Sequence, residues 1–272
     1  MKGIQDDTYA VVTGAAEGLG RAFAIELSKR SVNCILIDVS KKKLEALSYY
    51  INLNFKVSSV AIMADLTDID QLKKISCNIK EKYKISLLIN NAGVGGTKRM
   101  EDASIAYINK IIQLNVMATS VLTHQLLPNL KQRDKAYILN VSSMAAFSPI
   151  GYKTVYPASK AFIQSFSRGL YQELKQSNVF VSVVNPGPMK TNKDVTERIN
   201  KQGFLGKVGL LSPEKVAEIS IRQLLKKDSM IILNKMNAFN WMLTKILPMG
   251  VKLPLLTKAV YREIKMDMKK AV

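Results

Sequence analysis

Tyr9-Ala10-Val11-Val12-Thr13-Gly14-Ala15-Ala16-Glu17-Gly18-Leu19-Gly20 is the stretch whose reading decides the fold. Tyr9–Thr13 is a short apolar and β-branched run, as expected of a strand buried on both faces. A glycine-bearing turn follows and leads directly into an amphipathic stretch, Arg21–Arg30. Strand, glycine turn and helix in that order open a βαβ unit. Glycines let the backbone turn tightly and approach an anion, and the next helix offers free N–H groups and its positive dipole end. Without that context a glycine cluster carries little weight. Gly203, Gly206 and Gly209 are as closely spaced, but no clear strand precedes them, and they read as a loop.

The same alternation continues along the chain. Cys34–Ile37, Val57–Met63, Ser86–Asn90, Ala136–Val141, Val179–Val184 and Met230–Leu233 read as six further strands. Leu66–Tyr83, Ile105–Leu127, Thr154–Gln176 and Pro213–Lys226 read as helices between them, and Lys41-Lys42-Lys43 as the start of a solvated helix. Strands alternating with helices predict a doubly wound, seven-stranded parallel sheet. In such a sheet ligands bind beyond the carboxyl ends of the strands, so chemistry belongs in the segments that follow each strand.

Composition sets outer bounds. The 272 residues, 47% hydrophobic, suffice for one large core, and no linker or repeat divides them. The expected division is a catalytic domain over 1–233 and a C-terminal extension over 234–272, packed on the same domain or on a partner subunit. Cys34 and Cys77 form no disulfide framework and no metal-ligand spacing, so no metal is expected, and a reduced, cytoplasmic setting fits. Met1–Asp7 does not resemble a secretory signal, and no charge-free run is long enough to suggest a spanning helix. The net charge of +19 is dispersed without an arginine cluster, which argues against nucleic acid and fits a basic surface, an anionic membrane or an acidic carrier.

Asp38 ends the second strand, eighteen residues beyond Gly20. A carboxylate there can accept hydrogen bonds from both hydroxyls of an adenosine ribose and would repel a 2′-phosphate. Glu17 and Val39 occupy places where a basic residue would welcome that phosphate, so NAD is expected over NADP. Asp65-Leu66, after the third strand, is placed to receive an adenine ring, and Asp65 could equally cap the next helix. Asn90-Asn91-Ala92-Gly93, after the fourth strand, lets the backbone approach a cofactor, with Asn91 bracing the sheet or contacting ribose.

Three Tyr-x-x-x-Lys pairs occur, Tyr156/Lys160, Tyr171/Lys175 and Tyr261/Lys265. Residues four apart share a helix face, but only the first pair has a serine, Ser143, thirteen residues upstream at a strand end. A phenol titrates near ~10, too high for proton exchange at neutrality. The ammonium of Lys160 and a positive nicotinamide ring would stabilise the phenolate, while Ser143 would hold the substrate oxygen against Tyr156.

Taken together, Thr13–Gly20 as TGxxxGxG, Asn90–Gly93 as NNAG, and the Ser143, Tyr156 and Lys160 spacing resemble the short-chain dehydrogenase/reductase family over about residues 8–233. The resemblance implies a single-domain Rossmann fold and alcohol/ketone oxidoreduction. It implies that Asn115 holds a water in the proton relay. It also implies cofactor contacts from Gly14, Ala16, Glu17, Gly18, Leu19, Gly20, Asp38, Asp65, Leu66, Asn91, Ala92, Gly93, Tyr156, Lys160, Pro186, Gly187 and Thr191. Thr191 would reach the nicotinamide carboxamide. Homodimers or homotetramers are implied as well. Pro157 departs from the pattern, but near a helix start a proline removes only an N–H without a helical partner. Ser142 neighbours Ser143, and spacing favours Ser143. His124, the only histidine, is expected to pack on its helix without a triad or metal role.

A lipophilic secondary alcohol or ketone is the leading substrate expectation. A 3-oxoacyl thioester on an acidic carrier is the alternative, motivated by the basic charge. A catalytically silent cofactor-binding regulator is the reading from another class. In the extension, Phe239, Met242, Leu243 and Ile246 form an apolar stripe ending near Pro248, and Leu253–Leu256 follow. Two readings stand for 236–265: a lid on the substrate pocket, or a peripheral membrane contact with lysines at anionic headgroups.

Overall fold

A computed structural model describes residues 7–189 and 209–270. Seven strands form one sheet in which all neighbours run parallel: β1 (Tyr9–Thr13), β2 (Asn33–Asp38), β3 (Ser59–Met63), β4 (Ile85–Asn90), β5 (Ala136–Val141), β6 (Val179–Val184) and β7 (Met230–Ile231). Their order is β3-β2-β1-β4-β5-β6-β7. The order reverses between β1 and β4, so the loops after these two strands splay apart and leave a crevice.

Helices cover both faces. On one side lie α1 (Gly18–Lys29), α2 (Lys41–Asn54) and α7 (Pro213–Leu225), whose Leu19, Phe23, Leu44 and Val216 share a core with Val12 and Leu36. The other side carries α3 (Ile69–Lys82), α5 (Ala118–Lys131) and α6 (Val155–Glu173), where Leu72, Leu122 and Leu126 pack on Val11, Ile35 and Ile138. The central strands β4 and β5 are buried at every position, which explains their largely apolar runs, and their polar Asn90 and Asn140 are hydrogen-bonded inside.

Local chemistry sets the ends. Helix α3 begins at Ile69 and not at Leu66, because the Asp68 carboxylate accepts the N–H groups of Asp70 and Gln71 and caps it there. The expected helix Ile105–Leu127 extends to Lys131 but is interrupted. Helix α4 (Ile105–Ile112) passes into a π turn, Gln113–Met117, before α5. By length and composition this is the one helix among the described residues that could cross a membrane. Its inner side, with Leu122, Leu126 and Leu130, packs in the core. His124 is exposed on α5, contrary to the packing role expected of it, because the helix turns the i+2 neighbour of Leu122 toward solvent.

The extension forms α8 (Lys235–Ile246) and α9 (Met249–Lys270), so Leu253–Leu256 sits in a helix that continues past Pro254. Trp241 meets Phe147 edge to face at 6.3 Å, the Gly151 N–H donates to Thr257 Oγ1 at 3.1 Å, and Tyr152 lies 5.6 Å from Tyr261.

One buried side chain ties α5 to the start of β4. Asn129 Oδ1 accepts the Ile85 N–H at 2.9 Å, and its Nδ2 donates to the carbonyls of Lys80 and Tyr83 at 3.2 and 2.9 Å. Asn129→Ala leaves those backbone groups without partners and is expected to cost roughly 2–4 kcal/mol, read as a lower denaturant midpoint at unchanged slope.

Candidate active site

The crevice between β1 and β4 is built around Thr13 and Asn91. Thr13 Oγ1 accepts the N–H groups of Asn91 and Ala92, both at 2.9 Å, and Asn91 Nδ2 donates to the carbonyls of Thr13 and Gly14 at 2.9 and 3.2 Å. Of the two roles open to Asn91, its amide group takes the bracing one. Gly14 has φ +64, and a Cβ there would lie 2.9 Å from Ala92 Cα; a Cβ on Gly20 would lie 2.0 Å from the Gly14 carbonyl oxygen. Only glycines let the loop, the helix start and the β4 loop come this close.

Asp38 works first on the loop itself. Its Oδ2 accepts the Ala16 N–H at 3.0 Å and its Oδ1 the Ser40 N–H at 2.9 Å. Ala16 thus shapes the turn, and its N–H is spent. The Asp38 carboxylate keeps lone pairs toward the cavity, which it lines with Gly14, Glu17, Gly18, Leu19 and Leu66. Lys43 lies closer than its place in the sequence suggested, with Nζ 2.6 Å from Glu17 Oε2. Asp65 is exposed and accepts from the N–H and hydroxyl of Thr67, so it stabilises its own turn; the wall belongs to Ala64 and Leu66.

The expected catalytic residues converge on the same cavity. Ser143, Tyr156 and Lys160 all line it, and Tyr156 lies so near the β4 loop that a Cβ on Gly95 would be 3.0 Å from its ring. Ser142 is the structural serine, its hydroxyl donating to the Lys160 carbonyl at 2.8 Å. Ser143 Oγ accepts the Ala145 N–H at 3.1 Å, which turns the hydroxyl at the cavity wall. Pro157 falls in the first turn of α6, where its missing N–H costs little. Lys160 is buried and donates from Nζ to the Val141 carbonyl at 2.9 Å. Burial pulls its pKa down to about 8.

Asn115 sits inside the π turn and does not line the cavity. Its Oδ1 accepts the Val94 N–H at 2.8 Å, and its Nδ2 donates to the Val94 carbonyl and Ser159 Oγ, both at 2.9 Å. Ser159 in turn donates to the Tyr156 carbonyl at 2.7 Å. The Asn115 side chain therefore clamps the β4 loop to the catalytic helix.

The cavity has a volume of about 1080 Å³ and runs from Glu17 and Asp38, past Lys160, to a wall of Phe239, Leu243, Leu247, Leu255 and Leu256. Pro186 and Gly187 line its middle, whereas Thr191, like Gly203 and Gly206, lies outside the described residues. Polar lining residues of the extension were missed by sequence reasoning, among them Asn240, Thr244, Lys252 and Asn237, the last wedged so tightly that a Cβ on Gly187 would be 2.8 Å from its Oδ1. Spacing exposed the apolar stripe but gave no sign that polar residues among it face the same space.

The family model of short chain dehydrogenases matches residues 8–202. This chain belongs to the short-chain dehydrogenase/reductase family. Among its relatives, the very-long-chain 3-oxoacyl-CoA reductase-B of Danio rerio is 35% identical over 182 residues, covering 65% of this chain and 58% of that protein. Hydroxysteroid dehydrogenase-like protein 1 of Gallus gallus is 36% identical, covering 72% of this chain and 60% of that protein. The chain thus spans about three fifths of the length of these curated relatives. A short-chain dehydrogenase from Sphingobium yanoikuyae in complex with NADPH superposes with a TM-score of 0.78 at 25% identity, covering 88% of this chain and 92% of that one. One from Burkholderia phymatum in complex with NAD shares the fold with a TM-score of 0.78 at 22% identity.

The residues present fit a nicotinamide dinucleotide of the kind the family uses. The Gly14 and Gly93 backbones edge the cavity, where a Cβ on Gly14 would clash with Ala92 Cα at 2.9 Å and one on Gly93 would crowd Asn115 Oδ1 at 3.1 Å. Asp38 stands at one end and Lys160 in the middle.

Burial of Lys160 carries a stability signature. Below pH 8 the amine is protonated folded and unfolded, so the full cost of burying the charge is present; between about 8 and 10.5 the folded form loses its proton first, and stability rises with pH. Lys160→Met in the ligand-free protein should therefore raise stability by about 1–3 kcal/mol near pH 7, a gain that fades across that window. Denaturant titrations from pH 6 to 10.5 read it; a gain that grows with pH would contradict it.

Proposed function

We propose that this protein is a nicotinamide-dependent oxidoreductase that interconverts a secondary alcohol and a ketone, with long-chain 3-oxoacyl thioesters as the first substrate class and other lipophilic alcohols, hydroxysteroids included, as the second. One observation carries the reading: Ser143, Tyr156 and Lys160 share a large cavity whose far wall is apolar. The 35% identity to proteins named very-long-chain 3-oxoacyl-CoA reductases supports the thioester class. Presence of Asn115, Ser143, Tyr156 and Lys160 together argues against a catalytically silent regulator.

In the reducing direction the substrate carbonyl oxygen accepts hydrogen bonds from Ser143 and Tyr156. As that oxygen gains negative charge, the Tyr156 phenol gives it a proton. The Lys160 ammonium stabilises the phenolate left behind, and water then returns the proton to the phenol. A bound nicotinamide cofactor supplies or accepts the hydride at the carbinol carbon. Because the Asn115 side chain is spent on Val94 and Ser159, a relay water would have to be held by other groups. Asp38 supports NAD, while Lys43 beside Glu17 offers a cation to a 2′-phosphate; we rank NAD first.

Exposed Ile105, Ile112, Met117 and Phe162 on α4 to α6 support burial against a second copy of the chain. In a cytoplasmic setting, exposed Met242, Ile246, Met249 and Val251, with Lys245 nearby, support a peripheral membrane contact that gives a lipophilic substrate access to the cavity.

Tyr156→Phe removes only the transferable proton. Turnover of a 3-oxoacyl thioester should fall by roughly 10³-fold, with dinucleotide affinity changed less than about twofold by fluorescence titration. Near-normal turnover would refute the mechanism, and wild-type protein binding NADPH more tightly than NADH would reverse the cofactor ranking.

For the membrane contact, the full chain should sediment with anionic vesicles in a salt-sensitive way, and a Met242→Glu/Ile246→Glu double variant should lose roughly tenfold or more of that binding. Equal binding of both proteins would leave the outer face without this role.

A further inference from the structure

The charges on the cavity wall are sorted by position. Among the described lining residues the only acids are Glu17 and Asp38, at the adenosine end, whereas the opposite end carries Lys153 and Lys252. Lys252 lies in the first turn of α9 and is 9% exposed. The same cavity wall also carries Leu243, Leu247, Leu255 and Leu256.

One bond explains how the amine is held. The carbonyl of Thr244, near the end of α8, would normally accept from the residue four places on, but that residue is Pro248, which has no N–H. Lys252 Nζ takes the vacant place and donates to Thr244 O at 2.8 Å. The helix end offers partial negative charge and uses one of the three N–H donors. No carboxylate forms an ion pair with Lys252 among the described residues. A largely buried ammonium with donors to spare and no carboxylate partner is costly unless an anion completes it.

We infer that Lys252 receives an anionic group of the substrate, a carboxylate or phosphate oxygen, so that the enzyme selects apolar ketones or alcohols bearing a negative charge. This rests on the substrate occupying the cavity as proposed above. The anion could sit on the lipid chain as a carboxylate or on a carrier thiol as a phosphate. Both present the same oxygen chemistry to the amine.

Two matched substrate pairs separate these sources: a 3-oxoacyl-coenzyme A against the phosphate-free N-acetylcysteamine thioester, and a long-chain oxo acid against its methyl ester. Lys252→Gln keeps an N–H donor for Thr244 but removes the charge, and Lys252→Met removes both. In both variants the preference for the charged member of one pair, as a ratio of KM values, should fall roughly tenfold or more, with kcat moving much less. The pair affected identifies the source. Charged and neutral members weakening together would reduce Lys252 to a helix cap and overturn the inference, as would an unchanged ratio in Lys252→Gln. Binding of palmitate against methyl palmitate, followed by fluorescence of Trp241, the only tryptophan, reads the same ratio without turnover. Discrimination there that is lost in Lys252→Gln, with no turnover of any ketone, would support the anion site while refuting the oxidoreductase reading; no discrimination in either assay would overturn the anion site.

Discussion

The hydrogen bonds between Thr13 and Asn91 hold the two halves of the site together. β1 and β4 are neighbours in the parallel sheet, and their following loops diverge because the strand order reverses between them. One hydroxyl receiving two N–H groups and one amide reaching two carbonyls close that divergence. The glycine loop after β1 and the loop facing Tyr156 are thereby tied to each other, while Asp38 and Asn115 fix their outer parts. Changes to either loop are felt by the other.

The same method extends toward the catalytic helix. Asn90 donates to Thr123 on α5 and to Asn140 on β5, and Asn140 donates to Ser167 on α6. Asn115 then binds the β4 loop to Ser159, one turn from Tyr156. Each buried amide is satisfied by a different element, so the chain of bonds fixes how α6 lies against the sheet. Apolar packing would tolerate sliding, whereas these bonds require one register. Tyr156 and Lys160 inherit their precision from that requirement.

Much of this was legible in the residues, because strands buried on both faces announce themselves and chemistry falls at their ends. The spacing of Ser143, Tyr156 and Lys160 was readable for the same reason: a helix converts four residues into one shared face. Roles that depend on distant partners were not. Asp65, read as adenine wall or helix cap, bonds its own turn at Thr67, Asp68 caps the helix instead, and the side chain of Asn115 clamps the β4 loop. Helix α9 continues past Pro254, and the sequence marked within it only the apolar run Leu253–Leu256. Asn237 and Lys252 were invisible because nothing local marks a polar residue as facing a cavity made by other elements.

The charge arrangement around Tyr156 bears on direction. Lys160 is buried without a carboxylate, so its ammonium acts on the phenol through a medium that screens weakly. On the proposed function, an oxidised, positively charged nicotinamide ring would add a second cation beside Lys160 and favour Tyr156 as a proton acceptor from an alcohol. A reduced, neutral ring would leave Lys160 alone and favour Tyr156 as a proton donor to a carbonyl oxygen. The same geometry would then serve both directions, with the supply of each cofactor form deciding between them.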